Sequence, residues 1–211
     1  MCGISGYIGK KEGLPIVFTN LKKMEYRGYD SAGVAFFVNR KGNFDIEMIK
    51  RPGKINILGK ELIGEKSLPA TAASAHSRWA THGAPNEANA HPHSDCRDEI
   101  FLVHNGIIEN YTELKTALQK KGHRFRSQTD TEIFPHLIEE ELKMKKNFEF
   151  AFEKSLKKAV GAYAFAVIYK NEPSKLFIAR LGSPLVVGVG KGEYFVASDP
   201  TALAGLVKKV I

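Results

Sequence analysis

Cysteine is scarce: Cys2 and Cys96 are the only two in 211 residues. That excludes a disulfide framework and makes a reducing cytoplasm the expected setting. No apolar run approaches the ~20 residues that span a bilayer. The N-terminus has no basic stretch leading into an apolar one, so neither membrane nor secretory targeting is expected. There is no Gly-x-Gly-x-x-Gly, phosphate-binding loop, Gly-x-Ser-x-Gly or His-Glu-x-x-His, which removes the dinucleotide, nucleotide, serine-hydrolase and zinc-peptidase readings those patterns carry. His91-Pro92-His93 has no paired cysteines or carboxylates beside it and reads as structural, and Cys96 reads as a loop thiol without a catalytic role. No metal and no cofactor is expected. Linkers rich in Pro, Gly or Ser are missing too, as are internal repeats, so residues 1–211 read as one domain.

What is present is an ordinary globular composition, 43% hydrophobic and 26% charged, with a net charge of +8. The lysines are dispersed as short pairs such as Lys120-Lys121 and Lys157-Lys158. They sit where amphipathic helices show their polar faces, without a nucleic-acid-binding pattern, so a solvated basic surface is expected and no nucleic acid partner.

Periodicity outlines the elements. Ile4-Ser5-Gly6-Tyr7-Ile8 alternates as a strand, and Leu14, Val17, Phe18, Leu21 and Met24 recur at helical spacing. Residues 34–38 and 44–49 form a hairpin around Asn39-Arg40-Lys41-Gly42-Asn43. A second helix follows at 55–63. Residues 72–77 and 100–104 are strands, each running into a polar, glycine-containing loop: Arg78-Trp79-Ala80-Thr81-His82-Gly83 and Asn105-Gly106. Helices are expected at 111–121, from about 130 to 146, and at 148–159. Thr129-Asp130-Thr131-Glu132 has the form of a capping box, and Pro135 belongs in a first turn. Strands close the chain at 162–169, 176–180, 185–189 and 194–197. Strand runs at both ends with helices between them predict an α+β domain with antiparallel sheets.

The second residue is the most suggestive one. Once Met1 is removed, Cys2 carries a thiol and a free α-amine, whose reference pKa values of ~8.5 and ~7.7–8.0 allow both to exchange protons near neutrality. One residue then supplies nucleophile and general base.

Cys2-Gly3-Ile4, Tyr26-Arg27-Gly28-Tyr29-Asp30-Ser31-Ala32-Gly33, His76-Ser77-Arg78-Trp79-Ala80-Thr81-His82-Gly83, His91-Pro92-His93, His104-Asn105-Gly106-Ile107-Ile108-Glu109-Asn110 and Thr129-Asp130-Thr131-Glu132 follow one another in this order. The set resembles the class II glutamine amidotransferases, which are N-terminal-nucleophile hydrolases, and most closely their amino-sugar-forming branch. The resemblance implies a four-layer αββα sandwich. It implies L-glutamine as substrate, with Cys2 as nucleophile and Asn105 and Gly106 as oxyanion donors. Arg78 is implied to hold the α-carboxylate, and Asp130, with Gly106 nearby, the α-ammonium. Trp79, Thr81 and His82 are implied to line and cover the pocket, and Arg27 to favour the thiolate. His76 and His104 are expected to be satisfied core histidines. Relatives carry a further sugar-isomerase region that binds fructose 6-phosphate and receives the ammonia, and this chain is expected to be the glutaminase part alone, of a homo-oligomeric whole. Glutaminase parts of an amidophosphoribosyltransferase or asparagine synthetase, and a non-catalytic glutamine-binding module, are the alternatives.

Overall fold

The computed structural model describes residues 2–79 and 83–211. Its strands are β1 (Gly3–Ile8), β2 (Ser31–Arg40), β3 (Asn43–Pro52), β4 (Ala73–Arg78), β5 (His93–Ser94), β6 (Ile100–Ile108), β7 (Gly161–Tyr169), β8 (Phe177–Leu181), β9 (Val186–Val189), β10 (Tyr194–Ala197) and β11 (Lys209–Val210). The helices are α1 (Gly13–Lys23), α2 (Ile55–Glu61), α3 (Tyr111–Lys120), α4 (Ile133–Met144) and α5 (Phe148–Leu156). One sheet has seven strands in the order β11-β9-β10-β1-β4-β2-β3, and the other four in the order β5-β6-β7-β8. Every ladder within them is antiparallel.

Strand alternation builds the layers. On the larger sheet Tyr7, Val34, Phe36, Ala73 and Ala75 point outward and bury Leu14, Val17 and Leu21 of α1 and Ile55 and Leu58 of α2. On the smaller sheet Leu102, Phe165 and Val167 point outward against Phe134, Leu137 and Ile138 of α4 and Phe148 and Phe152 of α5. The opposite faces meet in the middle, Ile4 and Val196 against Val103, Ala164 and Ala166, and Ala35 and Phe37 against Phe101 and Ile168. The result is the four-layer αββα sandwich. Each fully buried Phe or Leu contributes about 1.5–3 kcal/mol to holding the layers together. No described helix is long and apolar enough to cross a membrane.

Two expectations about local structure are corrected. Asn105-Gly106 is not a loop after a strand: β6 continues through both residues, with Asn105 opposite Ala164 and Gly106 opposite Tyr163 of β7. An Asn-Gly pair favours a turn only where no neighbouring strand takes up its backbone. The Thr129–Glu132 capping box does not form either. Glu132 turns back to accept the N–H of Arg126 at 2.7 Å and of Ser127 at 2.6 Å, and α4 begins at Ile133 with Pro135 in its first turn. Asp130 therefore lies in the turn before the helix.

Candidate active site

Cys2 sits one residue before β1, the middle strand of the larger sheet. Its carbonyl accepts hydrogen bonds from Arg27 Nε at 3.2 Å and Asn105 Nδ2 at 2.9 Å. Its Sγ accepts the backbone N–H of Trp79 at 3.2 Å, where β4 ends. The nucleophile candidate is thus held by groups from both sheets and from the short 3-10 turn Glu25–Arg27. Gly3 permits this packing, because a Cβ there would lie 2.7 Å from Ser77 Oγ on β4. Burial raises the Cys2 thiol pKa, while the Trp79 N–H and the Arg78 cation pull it down. The Arg27 guanidinium is paired with Asp199 at 2.9 Å, and Arg78 is one of the positive charges that lower the thiol pKa. Arg27 orients the backbone of Cys2.

Asn105 faces Cys2 from the inner side of β6. Its carbonyl oxygen lies 3.0 Å from His76 Nε2, which lies 3.0 Å from the His104 carbonyl as well. Both are acceptors, so His76 carries its proton on Nε2. Burial holds His76 neutral, with a pKa of about 3. His76 thereby fixes which end of the Asn105 amide faces Cys2, and the NH₂ end has a second hydrogen beyond the one on the Cys2 carbonyl. The next residue, Gly106, has φ +134, and a Cβ there would be 2.0 Å from the Ala162 carbonyl oxygen. Only glycine fits.

Cys2, Arg78, Trp79, His91, His104, Gly106, Thr129, Asp130 and Thr131 line one cavity. Arg78, at the end of β4, is 3% exposed; it donates to the Gly83 and Ala84 carbonyls and approaches Asp30 at 4.0 Å. Asp130 is also buried. Its Oδ2 accepts the Ile108 N–H at 2.7 Å, and no Lys or Arg among the described residues forms an ion pair with it. A buried cation and a buried anion thus share one cavity with a thiol. Trp79 is half-exposed at the rim with its ring edge-on to Tyr29, 5.2 Å between centroids. Thr81 and His82 lie outside the described residues, as does Met1.

Sequence reasoning missed how Asp130 is supported. The threonines on either side of it are pinned by buried histidines: Thr131 Oγ1 lies 3.0 Å from His91 Nε2 and 2.9 Å from His104 Nδ1, and Thr129 Oγ1 lies 3.0 Å from His93 Nε2. Burial keeps all three imidazoles neutral, His104 at about 4. Of His91-Pro92-His93, His91 lines this cavity and His93 supports it through Thr129. The local signal, Thr129-Asp130-Thr131-Glu132, reads by itself as a capping box and does not point to the histidines.

A thiol held at the start of a central strand, between two facing antiparallel sheets and beside opposite buried charges, defines a class. The glutamine amidotransferase domain family matches residues 76–205, and the chain belongs to that family. Over its full length the chain is 50% identical to the glutamine–fructose-6-phosphate aminotransferase (isomerizing) of Pyrococcus horikoshii and 51% identical to that of Thermococcus kodakarensis, covering all of this chain and 34% of each relative. It spans about a third of the length of these curated relatives. Among solved structures, glutamine phosphoribosylpyrophosphate amidotransferase from B. subtilis, complexed with ADP and GMP, is 28% identical with a TM-score of 0.77, over 96% of this chain and 43% of that one. The fold is the α+β fold of the N-terminal-nucleophile amidotransferases.

Proposed function

We propose that this chain hydrolyses L-glutamine to glutamate and ammonia through a γ-glutamyl thioester on Cys2, and that within a longer, homo-oligomeric cytoplasmic protein the ammonia passes to fructose 6-phosphate to make glucosamine 6-phosphate. One observation carries the first half: Cys2 opens into a cavity that also contains a buried guanidinium and a buried carboxylate. Free glutamine has an α-carboxylate and an α-ammonium, and a guanidinium fork is suited to the former. Asp130, already accepting the Ile108 N–H, is suited to the latter. The second half rests on the likeness to the aminotransferases, whose remaining two-thirds are outside this chain.

The chemistry follows from the groups present. With Met1 removed, the Cys2 amine takes the thiol proton and Sγ attacks the side-chain amide carbon. The second Asn105 hydrogen and the Gly106 N–H meet the negative oxygen that forms. The carbon–nitrogen bond breaks, and the amine returns its proton to the departing ammonia. Water, deprotonated by the same amine, then attacks the thioester carbonyl. Glutamate leaves and the thiol is restored. Trp79, Thr81 and His82 are assigned to the rim and cover of the pocket, where they would keep water out until ammonia has gone.

The deciding experiment pairs intact-mass measurement with ammonia release from glutamine. Activity should track the fraction of protein lacking Met1, because an acylated Cys2 nitrogen cannot act as a base. Full turnover by material that keeps Met1 overturns the mechanism. For the acceptor, the longer gene product should form glucosamine 6-phosphate from fructose 6-phosphate and leave phosphoribosylpyrophosphate untouched; the reverse result assigns the chain to the other branch.

A further inference from the structure

Away from the cavity, Cys96, His123, His136 and Glu139 converge. One ligand-type atom from each lies within 4.8 Å of every other. His123 Nδ1 and His136 Nδ1 are 3.3 Å apart. Cys96 Sγ is 3.7 Å from the first and 3.5 Å from the second. Glu139 Oε2 is 3.1 Å from His123 Nδ1 and 3.4 Å from His136 Nδ1. Three of these residues are buried and Cys96 is half-buried.

We propose that these four side chains bind one zinc-class divalent cation as a closed, tetrahedral, structural site.

The distances are those of a coordination shell. Bonds of ~2.3 Å to sulfur and ~2.0–2.1 Å to nitrogen and oxygen at tetrahedral angles give edges of about 3.3 Å for N–N and N–O and about 3.6 Å for S–N. Five of the six edges match these values to within about 0.2 Å, and the sixth, from Cys96 Sγ to the Glu139 carboxylate, lies within 4.8 Å. Hydrogen bonding alone does not account for them. Five close contacts join these atoms, and the thiol and the two Nδ1 atoms offer at most three protons between them. His123 sharpens the point. Its Nε2 lies 3.0 Å from a Glu140 carboxylate oxygen, closer than the 3.5 Å to Lys143 Nζ, which favours the proton on Nε2 and a bare Nδ1 in the neutral ring. A carboxylate–histidine–metal arrangement is built this way. Cys96 Sγ accepts the backbone N–H of Arg124 at 3.4 Å, which partly offsets the rise in the thiol pKa caused by burial. On binding, the thiol loses its proton to solvent. One thiolate and one carboxylate balance the two charges of the cation, with Glu140 and Glu132 beside the two histidines and Arg97 beside Glu139. The sulfur ligand selects a zinc-like ion over magnesium or calcium.

Four protein ligands leave no open position for a catalytic water. The role follows from connectivity. Cys96 lies in the turn between β5 and β6, His123 follows α3, and His136 and Glu139 are on α4. The ion would tie both ends of residues 123–136, the segment carrying Thr129, Asp130 and Thr131, to the edge of the smaller sheet. This is a crosslink made without a disulfide. Sequence reasoning set Cys96 aside because no short cysteine or histidine spacing announces the site; only the His136-x-x-Glu139 pair is local.

The test is spectroscopic and needs no activity. The whole chain, purified without an affinity histidine tag, is expected to retain about one zinc per molecule by elemental analysis. After removal of zinc by a chelator, Co(II) should produce tetrahedral ligand-field bands with a thiolate-to-cobalt charge-transfer band. Cys2→Ala should keep that band; Cys96→Ser should lose it and weaken Co(II) binding by at least ~100-fold, and Glu140→Gln by roughly 10–100-fold. If Cys96→Ser fails to fold, the wild-type and Cys2→Ala spectra still decide. A folded wild-type chain that takes up neither zinc nor cobalt overturns the proposal, and so does a charge-transfer band that disappears with Cys2→Ala.

Discussion

The buried histidines fall into two groups that use the same ring in different ways. His76, His91, His93 and His104 stand between the sheets and the turn before α4, and the partners of their rings are hydroxyls, an amide oxygen and a carbonyl. His123 and His136 instead point their Nδ1 atoms at each other, at a sulfur and at a carboxylate. The first group can set each proton against one of these partners, leaving His76 Nδ1, His91 Nδ1 and His104 Nε2 bare, and it frames a cavity. The second has more lone pairs than protons and surrounds a single point. Burial makes every charged histidine costly. What distinguishes a positioning imidazole from a metal ligand is whether the facing atoms can satisfy it with hydrogen alone.

Cys2→Ala has the largest expected effect. Ammonia release should fall to the background rate while glutamine binding, followed by calorimetry, persists, and the cobalt charge-transfer band at the second cluster should not change. Residual glutaminase activity in that variant would break the division of labour between the two thiols. Asn105→Ala should lower kcat by ~10²–10³, the usual consequence of losing one oxyanion donor. An unchanged kcat would reassign Asn105 to holding Cys2 only. Asp130→Asn should raise KM by roughly 10–100-fold with a smaller change in kcat, the loss of one charged hydrogen bond to substrate. A mainly kcat effect would remove Asp130 from the substrate clamp.

The smallest effect concerns pH and stability. His76 and His104 titrate at about 3 and about 4 in the folded chain against an ordinary value of 6.5. Below 6.5 the unfolded chain binds more protons, so stability is lost as pH falls toward those folded values; above 6.5 these histidines contribute no slope. Each should cost roughly 1.4 kcal/mol per pH unit in that window, a drop of several degrees in Tm between pH 6.5 and 5.5. His104→Gln should flatten the slope by about one histidine's share in thermal melts across that range. A slope that is unchanged would mean His104 is charged in the folded protein.

Much of this was legible before any coordinates. The α1 face formed by Leu14, Val17 and Leu21 is buried as its spacing predicts, and the hairpin around 39–43 joins β2 to β3. Arg78, Asp130, Gly106 and Cys2, picked from the resemblance, line one cavity. The failures share a cause: a short-range signal overridden by a partner distant in sequence. Asn105-Gly106 reads locally as a turn, but β7 supplies a ladder about 58 residues away. Thr129 reads as part of a cap, but the His93 ring, 36 residues away, takes its hydroxyl. The Cys96 cluster gathers four residues from three separate segments, and no local spacing rule reports that.

The place of β1 in the larger sheet has a consequence for biosynthesis. Ile4 donates its N–H to Ser198 Oγ at 2.9 Å, and Ser198 donates its own to the Ile4 carbonyl at 3.1 Å. Asp199, next in line, holds the arginine that orients Cys2. The start of β1 is therefore seated by residues 194 positions further along the chain, and contacts so far apart in sequence form late. During synthesis the thiol is therefore made long before residues 194–199, and the backbone of Cys2 lacks the partners that orient it until they arrive.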